Sequence, residues 1–158
     1  MEMDKDVELI SYYVNNDRIE DAYNVLNEKE SQMASKLTLY LIHKKDAPFT
    51  FNPLSHLEYV PKYYLYEAVD ENLFVYVHEG IEEIKDWAFA FCRIKKLLIS
   101  NKVKYIGDGA LSLNEGEIVY EGTKQEFISK FLGKSKCFLR SHKQQTITCF
   151  DGEIVIEI

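Results

Sequence analysis

The chain has 158 residues, of which 46% are hydrophobic and 28% charged, and its formal net charge is −7. This length allows one or two small domains with a hydrophobic core. The acidic balance argues against nucleic acid as a partner, because phosphate neutralisation needs a basic surface. No apolar run approaches the roughly 20 residues that span a bilayer, so no membrane partner is expected.

The start of the chain does not have the pattern of an export signal. Met1–Asp6 is acidic and leads directly into an amphipathic pattern, without a positive segment followed by an apolar one. The chain has three cysteines, Cys92, Cys137 and Cys149, which is an odd number. Together these features predict a cytoplasmic protein whose cysteines are thiols rather than disulfides.

Residues 1–45 predict a small helical segment. Apolar residues follow helical spacing from Val7 to Val14, and the turn-forming run Asn15-Asn16-Asp17 ends this first helix. The same spacing predicts a second helix over Ile19–Leu26. A third is expected from Met33 to Leu41, with Ser31 as its N-cap.

Residues 46–62 predict a connector, because they contain all three prolines of the chain. Two runs rich in β-favouring residues follow, Tyr63–Tyr66 and Leu73–Val77, with a turn signal between them at Asp70-Glu71-Asn72. We expect Tyr63–Tyr66 to be a strand that begins a sheet and covers its edge.

An internal repeat begins in the second of these runs. Shifting the chain by twenty-two residues superimposes six pairs of apolar residues. The pairs are Val75 with Leu97, Val77 with Ile99, Ile81 with Val103, Ile84 with Ile106, Ala88 with Ala110, and Phe89 with Leu111. After Leu111 the offset becomes twenty-one, so that Ile118 and Tyr120 take the places of Leu97 and Ile99. This period lies within the range of leucine-rich repeats.

The residues of these units resemble the BspA-like leucine-rich-repeat family. Ile81-x-x-Ile84-x-x-x-Ala88-Phe89-x-x-Cys92 is similar to the Val-x-x-Ile-Gly-x-x-Ala-Phe-x-x-Cys unit of that family, and Val103–Leu111 is a second copy. The resemblance covers roughly residues 73–158. Leu111 and Asn114 depart from the usual Phe and Cys. Many members of the family are exported, whereas this chain shows no export signal.

The predicted fold is therefore α+β: a small N-terminal helical segment, then a short, irregular leucine-rich-repeat solenoid over residues 63–158. Each unit offers a short strand and a tight turn that bury their apolar side only by stacking into a parallel sheet. Ala88 and Ala110 allow adjacent turns to approach, and Gly107 and Gly109 allow unusual backbone angles.

Two further elements are expected after the repeats. Gln125–Phe131 predicts a short helix. Thr146–Phe150 and Ile154–Ile158 predict a C-terminal hairpin cap around the turn dipeptide Asp151-Gly152. Trp87 has two readings: it is either a contact anchor or it packs over the space left by Gly109.

The sequence contains no catalytic, cofactor-binding or metal-binding motif. We therefore expect that the chain is not an enzyme and that it needs no cofactor. Gly122-Thr123-Lys124 has only a superficial similarity to a phosphate loop. Cys92 is expected to be a small buried hydrophobe. A nucleophilic pair of His142 with Cys137 or Cys149 remains open, since such pairs meet in space rather than in sequence.

Strand alternation places one set of side chains on the open face of the predicted sheet. The candidate partner-binding residues are Phe74, Tyr76, His78, Lys96, Leu98, Val119 and Glu121. Within this set Tyr76, Leu98 and Val119 form an apolar ladder, which we expect to be exposed and to bind. The alternative is that the helical half or a C-terminal segment folds back and covers the ladder.

These features favour a protein–protein interaction module that acts as an intracellular inhibitor or adaptor. Its size and lack of catalytic motifs suit a phage or mobile-element accessory protein. This attribution is a hypothesis that rests on these general features alone. The expected partner is a protein of unknown identity, and self-association is a second possibility. A structural, self-assembling role and an enzyme with a non-contiguous site are the alternatives.

Overall fold

The computed structural model describes residues 2–16, 18, 21–22, 24–25, 58–112, 115–134, 136–138 and 144–156. It has a mixed α+β architecture with mainly parallel strands. The helices are α1 (Glu2–Asn15) and α2 (Lys124–Phe131). The strands are β1 (Tyr59–Val60), β2 (Val69–Val77), β3 (Glu83–Ile84), β4 (Arg93–Ser100), β5 (Tyr105–Ile106), β6 (Glu117–Glu121), β7 (Gln145–Cys149) and β8 (Gly152–Ile156).

The N-terminal helix ends at Asn15, where the predicted turn begins. Residues 21–22 and 24–25 are also helical, in agreement with the second predicted helix. The remainder of that helix, the predicted helix over 33–41 and residues 46–57 of the predicted connector lie outside the described residues.

The strands form two sheets. The small sheet has the order β1-β3-β5 and is parallel. The large sheet has the order β2-β4-β6-β7-β8, in which only β7 and β8 are antiparallel. Val75 pairs with Leu97, which pairs in turn with Ile118. The predicted parallel pairing and the change of offset from twenty-two to twenty-one are therefore confirmed.

The prediction of a strand over Tyr63–Tyr66 is wrong. This run forms a turn between β1 and β2, and the first strand lies earlier, at Tyr59–Val60, within the predicted connector. The reason is tertiary: the amide of Leu65 donates to the carbonyl of Ala88 at 2.8 Å, and Glu67 donates to Ala90 at 2.9 Å. Stacking on the next turn overrides the β preference of the tyrosines.

Three turns stack in this way along one side of the molecule. The second turn donates from Phe89 to the carbonyl of Ala110 at 2.9 Å. Tyr63, Trp87 and Gly109 occupy equivalent places in the three turns and have φ values of 61°, 62° and 68°. Of these three positions, only the one in the third turn is occupied by glycine, which adopts left-handed backbone angles at the least cost.

Strand β2 is one continuous strand, so the predicted turn at Asp70-Glu71-Asn72 is also wrong. Its pairing with β4 is irregular between Asp70 and Phe74, where the offset changes from twenty-four residues to twenty-two. The extra residues form a bulge. This change of offset explains why the first repeat unit, which begins at Tyr59, is not visible in a comparison at twenty-two residues.

The core lies between the two sheets and the stacked turns. Ala88 and Ala110 are fully buried, as predicted, because they face neighbouring turns. Small-sheet residues Ile84 and Ile106 point towards large-sheet residues such as Leu97 in the same buried cluster. Among the described residues, the side chains on the opposite side of the large sheet, such as Tyr76, Leu98 and Val119, are not members of this cluster.

Helix α2 and the hairpin follow the repeated units, as predicted. In α2 the buried rings of Phe127 and Phe131 lie 5.2 and 5.9 Å from the ring of Tyr120. The hairpin pairs Thr148 with Glu153 and turns at Phe150-Asp151. It extends the large sheet by two strands.

Candidate functional site

The residues predicted to bind a partner lie on the side of the large sheet that faces away from the core, which we call the outer face. Alternation along β2 defines it: Val75 and Val77 are buried, whereas Phe74 and Tyr76 are exposed. The outer face comprises Phe74, Tyr76, His78, Lys96, Leu98, Ser100, Glu117, Val119, Glu121, Thr146, Thr148, Glu153 and Val155.

The centre of the outer face is one row of residues across four parallel strands. Tyr76 stands opposite Leu98, Leu98 opposite Val119, and Val119 opposite Thr148. Tyr76 is 39% exposed, whereas Leu98 and Val119 are half-buried. The structure thus brings the predicted ladder together, but only its aromatic member is strongly exposed.

A hydrogen bond reaches across β4 from Tyr76. The hydroxyl of Tyr76 donates to the carboxylate of Glu121, which lies on β6. Because neighbouring strands are about 4.8 Å apart, this bond carries the Tyr76 ring over β4. Desolvation, followed by the contact with Glu121, raises the pKa of Tyr76 above its ordinary value.

Two exposed apolar side chains lie at opposite ends of the neighbouring row. Phe74 is 52% exposed, and the ammonium of Lys96 lies 5.6 Å from the centre of its ring, within the range of a cation–π contact. At the other end, Val155 on β8 is 51% exposed. The sequence prediction included Phe74 and Lys96 but missed Val155, because β8 lies outside the repeated units.

The end of the outer face next to the turns is less accessible. His78 is half-buried, and its Nδ1 accepts a hydrogen bond from the amide of Gly80 at 3.0 Å. Ser100 is buried, and its hydroxyl accepts from the amide of Lys102 at 3.1 Å. Both side chains therefore stabilise the turns that follow their strands.

A second group of aromatic residues lies on the stacked turns, and the sequence prediction did not identify it as a group. Its ring centroids form a chain: Tyr63 to Tyr66 at 5.4 Å, Tyr66 to Phe91 at 5.6 Å, and Phe91 to Trp87 at 6.4 Å. Phe91 is 36% exposed. The signal in the sequence is the offset of twenty-four residues, which places Tyr63 over Trp87.

The cysteines of the chain are buried thiols. Burial raises the pKa of Cys92 to about 12, so its thiol stays protonated at neutral pH, as expected of a small hydrophobe. Burial also raises the pKa of Cys149. His142, the proposed partner of Cys137 or Cys149, lies outside the described residues.

The segment Gly122-Thr123-Lys124 leads into helix α2, and the amides of Thr123 and Lys124 are bound by the protein itself. The hydroxyl of Thr123 accepts from the amide of Glu126 at 3.1 Å, and the Glu126 carboxylate accepts from the amide of Thr123 at 3.4 Å. The amide of Lys124 donates to Asp151 at 2.8 Å. These donors are therefore not directed at a phosphate.

Within the described ranges, no helix is long and apolar enough to cross a membrane. The same residues contain no group of three or more His, Cys, Asp or Glu side chains placed to hold a metal ion. A scan against protein-family models and searches of curated proteins and of solved structures find no match to this chain.

Proposed function

We propose that the chain is a protein-interaction module, acting as an inhibitor or adaptor, which binds its partner through the outer face. One observation carries the proposal: Tyr76, Leu98 and Val119 stand opposite one another on three parallel strands. Alternation would normally place polar residues on a solvated face. An apolar row in that position is typical of an interface.

The composition of the outer face supports a protein as the partner. Phe74 and Tyr76 offer two partly exposed aromatic rings, and aromatic residues are enriched among those that carry binding energy. Lys96 and Glu121 lie beside them. An apolar centre with charged neighbours is the usual composition of an interface.

We further propose that the repeated part is a short leucine-rich-repeat solenoid of the BspA-like type. The observations in its favour are the parallel register at offsets of twenty-two and twenty-one residues and the stacking of successive turns. Solenoids commonly bind along one extended surface. We also propose a cytoplasmic location, which suits a chain with three buried thiols.

The experiment is site-specific photo-crosslinking. A photoreactive amino acid at Leu98 should crosslink one protein from a lysate of the source cells, whereas the same group at Tyr105 should not. Tyr105 is the matched control because it is 43% exposed and lies in the small sheet. The crosslinked protein is then purified, and its affinity for the intact chain is measured by calorimetry.

A double substitution completes the test. Tyr76→Ala with Leu98→Thr removes the two central apolar contacts while retaining a β-favouring residue, and it should weaken binding at least a hundredfold. Tyr105→Ala with Ile128→Ala, which changes two exposed residues elsewhere, should leave the affinity within twofold. If both double variants bind equally well, the interface is not the outer face.

Self-association is the second candidate, and one observation favours it. Strand β8 ends the large sheet among the described strands, and its Val155 is 51% exposed. Such an edge can pair with another chain. The molar mass in solution, measured by light scattering over a range of concentrations, distinguishes this candidate from a monomeric module.

A further inference from the structure

The outer face has two chemically different halves. The half formed by β2 and β4 presents the aromatic rings and Lys96. The half formed by β6, β7 and β8 presents three carboxylates around its apolar and hydroxyl side chains, and no lysine or arginine. The residues of that second half are Glu117, Val119, Glu121, Thr146, Thr148, Glu153 and Val155.

None of the three carboxylates forms an ion pair with another described residue. Glu117 and Glu153 are exposed, and Glu121 accepts the hydrogen bond from Tyr76. Some surface carboxylates elsewhere in the described part of the chain are paired, since Arg93 lies 2.8 Å from Glu115 and Lys104 lies 3.0 Å from Glu82. Among the described residues, the negative charge of these three carboxylates is therefore not neutralised by an ion pair.

The strand geometry fixes how these charges are spaced. Glu117 and Glu121 lie four residues apart on β6, about 13 Å at 3.3 Å per residue, with Val119 between them. Glu153 stands two strands away, roughly 10 Å from β6, in the same row as Val119 and Thr148. The three carboxylates therefore surround an apolar centre.

A helix with basic residues matches this spacing. Positions i and i+7 of a helix are about 10.5 Å apart on the same side, which long lysine or arginine side chains extend to the distance between Glu117 and Glu121. Positions i+3 and i+4 would then lie over Val119 and Leu98. An extended segment is less suitable, because a sheet face offers no edge to satisfy its backbone hydrogen bonds.

We propose that the outer face binds a basic amphipathic helix of its partner, with apolar residues over Leu98 and Val119 and Lys or Arg residues at Glu117, Glu121 and Glu153. This inference rests on the proposed function and adds the chemistry of the partner. A second copy of this chain does not suit the face, because each copy would bring three carboxylates and one lysine, Lys96.

The probe is a synthetic helical peptide of about 18 residues, five turns, with a leucine stripe flanked by lysines. Its affinity for the full chain is measured by calorimetry at low and high salt. The contact site is mapped from amide chemical-shift changes in nitrogen-15 spectra. The largest changes are expected at Leu98, Val119 and Thr148, and the affinity should fall as salt rises.

Two triple variants test the charges. Glu117→Gln/Glu121→Gln/Glu153→Gln should reduce the affinity about tenfold or more at low salt and remove most of its salt dependence. Glu8→Gln/Glu58→Gln/Glu83→Gln removes the same charge from positions outside the outer face and should change the affinity less than twofold. Circular dichroism checks that both variants are folded.

Four outcomes would overturn the inference. The first is an equal loss in both triple variants, which would mean that only net charge attracts the peptide. The second is the absence of shifts at Leu98 and Val119. The third is equal or tighter binding of a peptide with alternating leucine and lysine, which favours an extended segment. A dimer seen by light scattering whose formation protects the same amides would also count against it.

The crosslinked natural partner separates this inference from the proposed function. If that partner binds the Glu117→Gln/Glu121→Gln/Glu153→Gln variant with unchanged affinity but loses binding to Tyr76→Ala with Leu98→Thr, the interface stands and the basic helix does not. If the Tyr76 and Leu98 substitutions have no effect, the proposed interface itself is wrong.

Discussion

The indole ring of Trp87 fills the space that a side chain on Gly109 would need. A Cβ added to Gly109 would lie 2.6 Å from Cε3 of the indole, far inside a normal contact. This confirms that Trp87 packs over the space left by Gly109, between successive turns. Gly109 also has φ of 68°, so it meets a steric and a backbone requirement at once.

Gly109→Ala is expected to lower the free energy of unfolding by about 2–4 kcal/mol, the sum of a left-handed backbone and an overpacked contact. Gly133→Ala is the matched control, because Gly133 has φ of 85° but nothing within 4 Å of the added Cβ. It should cost about 1–2 kcal/mol, the backbone contribution alone. Equal losses in chemical denaturation would show that Trp87 does not restrict this position.

Asp86 connects the second and third turns through its side chain. Its carboxylate accepts a hydrogen bond from the amide of Asp108 at 2.9 Å, and a Cβ on Gly107 would collide with that carboxylate and with the Asp86 backbone. Position 107 therefore requires glycine because the two turns approach closely there. Of Gly107 and Gly109, only Gly109 has the unusual backbone angle that the sequence predicted.

Asp86→Ala should lower the free energy of unfolding by about 1–2 kcal/mol, because the Asp108 amide loses its acceptor. Asp86→Asn keeps an acceptor oxygen and should cost less than half as much. Hydrogen exchange provides the local measurement: the amide of Asp108 should exchange faster in the alanine variant than in the asparagine variant. Identical exchange rates would exclude the side-chain bond.

Ala110→Leu is expected to overpack the contact between neighbouring turns, because Ala110 is fully buried and its carbonyl accepts from the Phe89 amide. The expected loss is about 1–3 kcal/mol. Val155→Leu adds a methylene at a site that is 51% exposed and should change stability by less than about 0.5 kcal/mol. Urea denaturation of both variants provides the comparison, and an unaffected Ala110→Leu variant would contradict the stacking.

Cys92 makes stability depend on pH in the alkaline range. Its pKa is about 12 in the folded protein and 9.0 as an ordinary thiol, so above pH 9 only the unfolded chain loses this proton. The stability that Cys92 contributes therefore falls as pH rises. Between pH 8 and pH 10, the advantage of the natural chain over Cys92→Ala should shrink by about 1 kcal/mol. A constant difference across these pH values would mean that the thiol titrates normally when folded.

The parallel register could be predicted because each core position repeats as an apolar residue, as Val77, Ile99 and Tyr120 do. The first unit could not be predicted, because the bulge in β2 shifts it by two residues relative to the later units. In addition, its run of tyrosines has the composition of a strand. The intrinsic β preference of the residues predicted the wrong structure where hydrogen bonds between turns determine the backbone conformation.

The residues of the outer face could also be predicted only in part. Phe74 and Tyr76 were placed correctly, because the alternation of side chains along a single strand is enough to assign them to one face. The hydrogen bond from Tyr76 to Glu121 joins strands that are two apart, and the position of Val155 depends on the antiparallel hairpin. Neither follows from a repeat of twenty-two residues.

The charges that join successive units also favour one order of stacking, although exposed ion pairs contribute only about 1 kcal/mol or less each. Arg93 lies between Glu71 at 3.9 Å and Glu115 at 2.8 Å, and each of these residues is twenty-two positions from the next. If the middle unit were removed, Glu71 would face Glu115 with no cation between them. Like charges on neighbouring strands repel, so the units are similar in shape but not interchangeable.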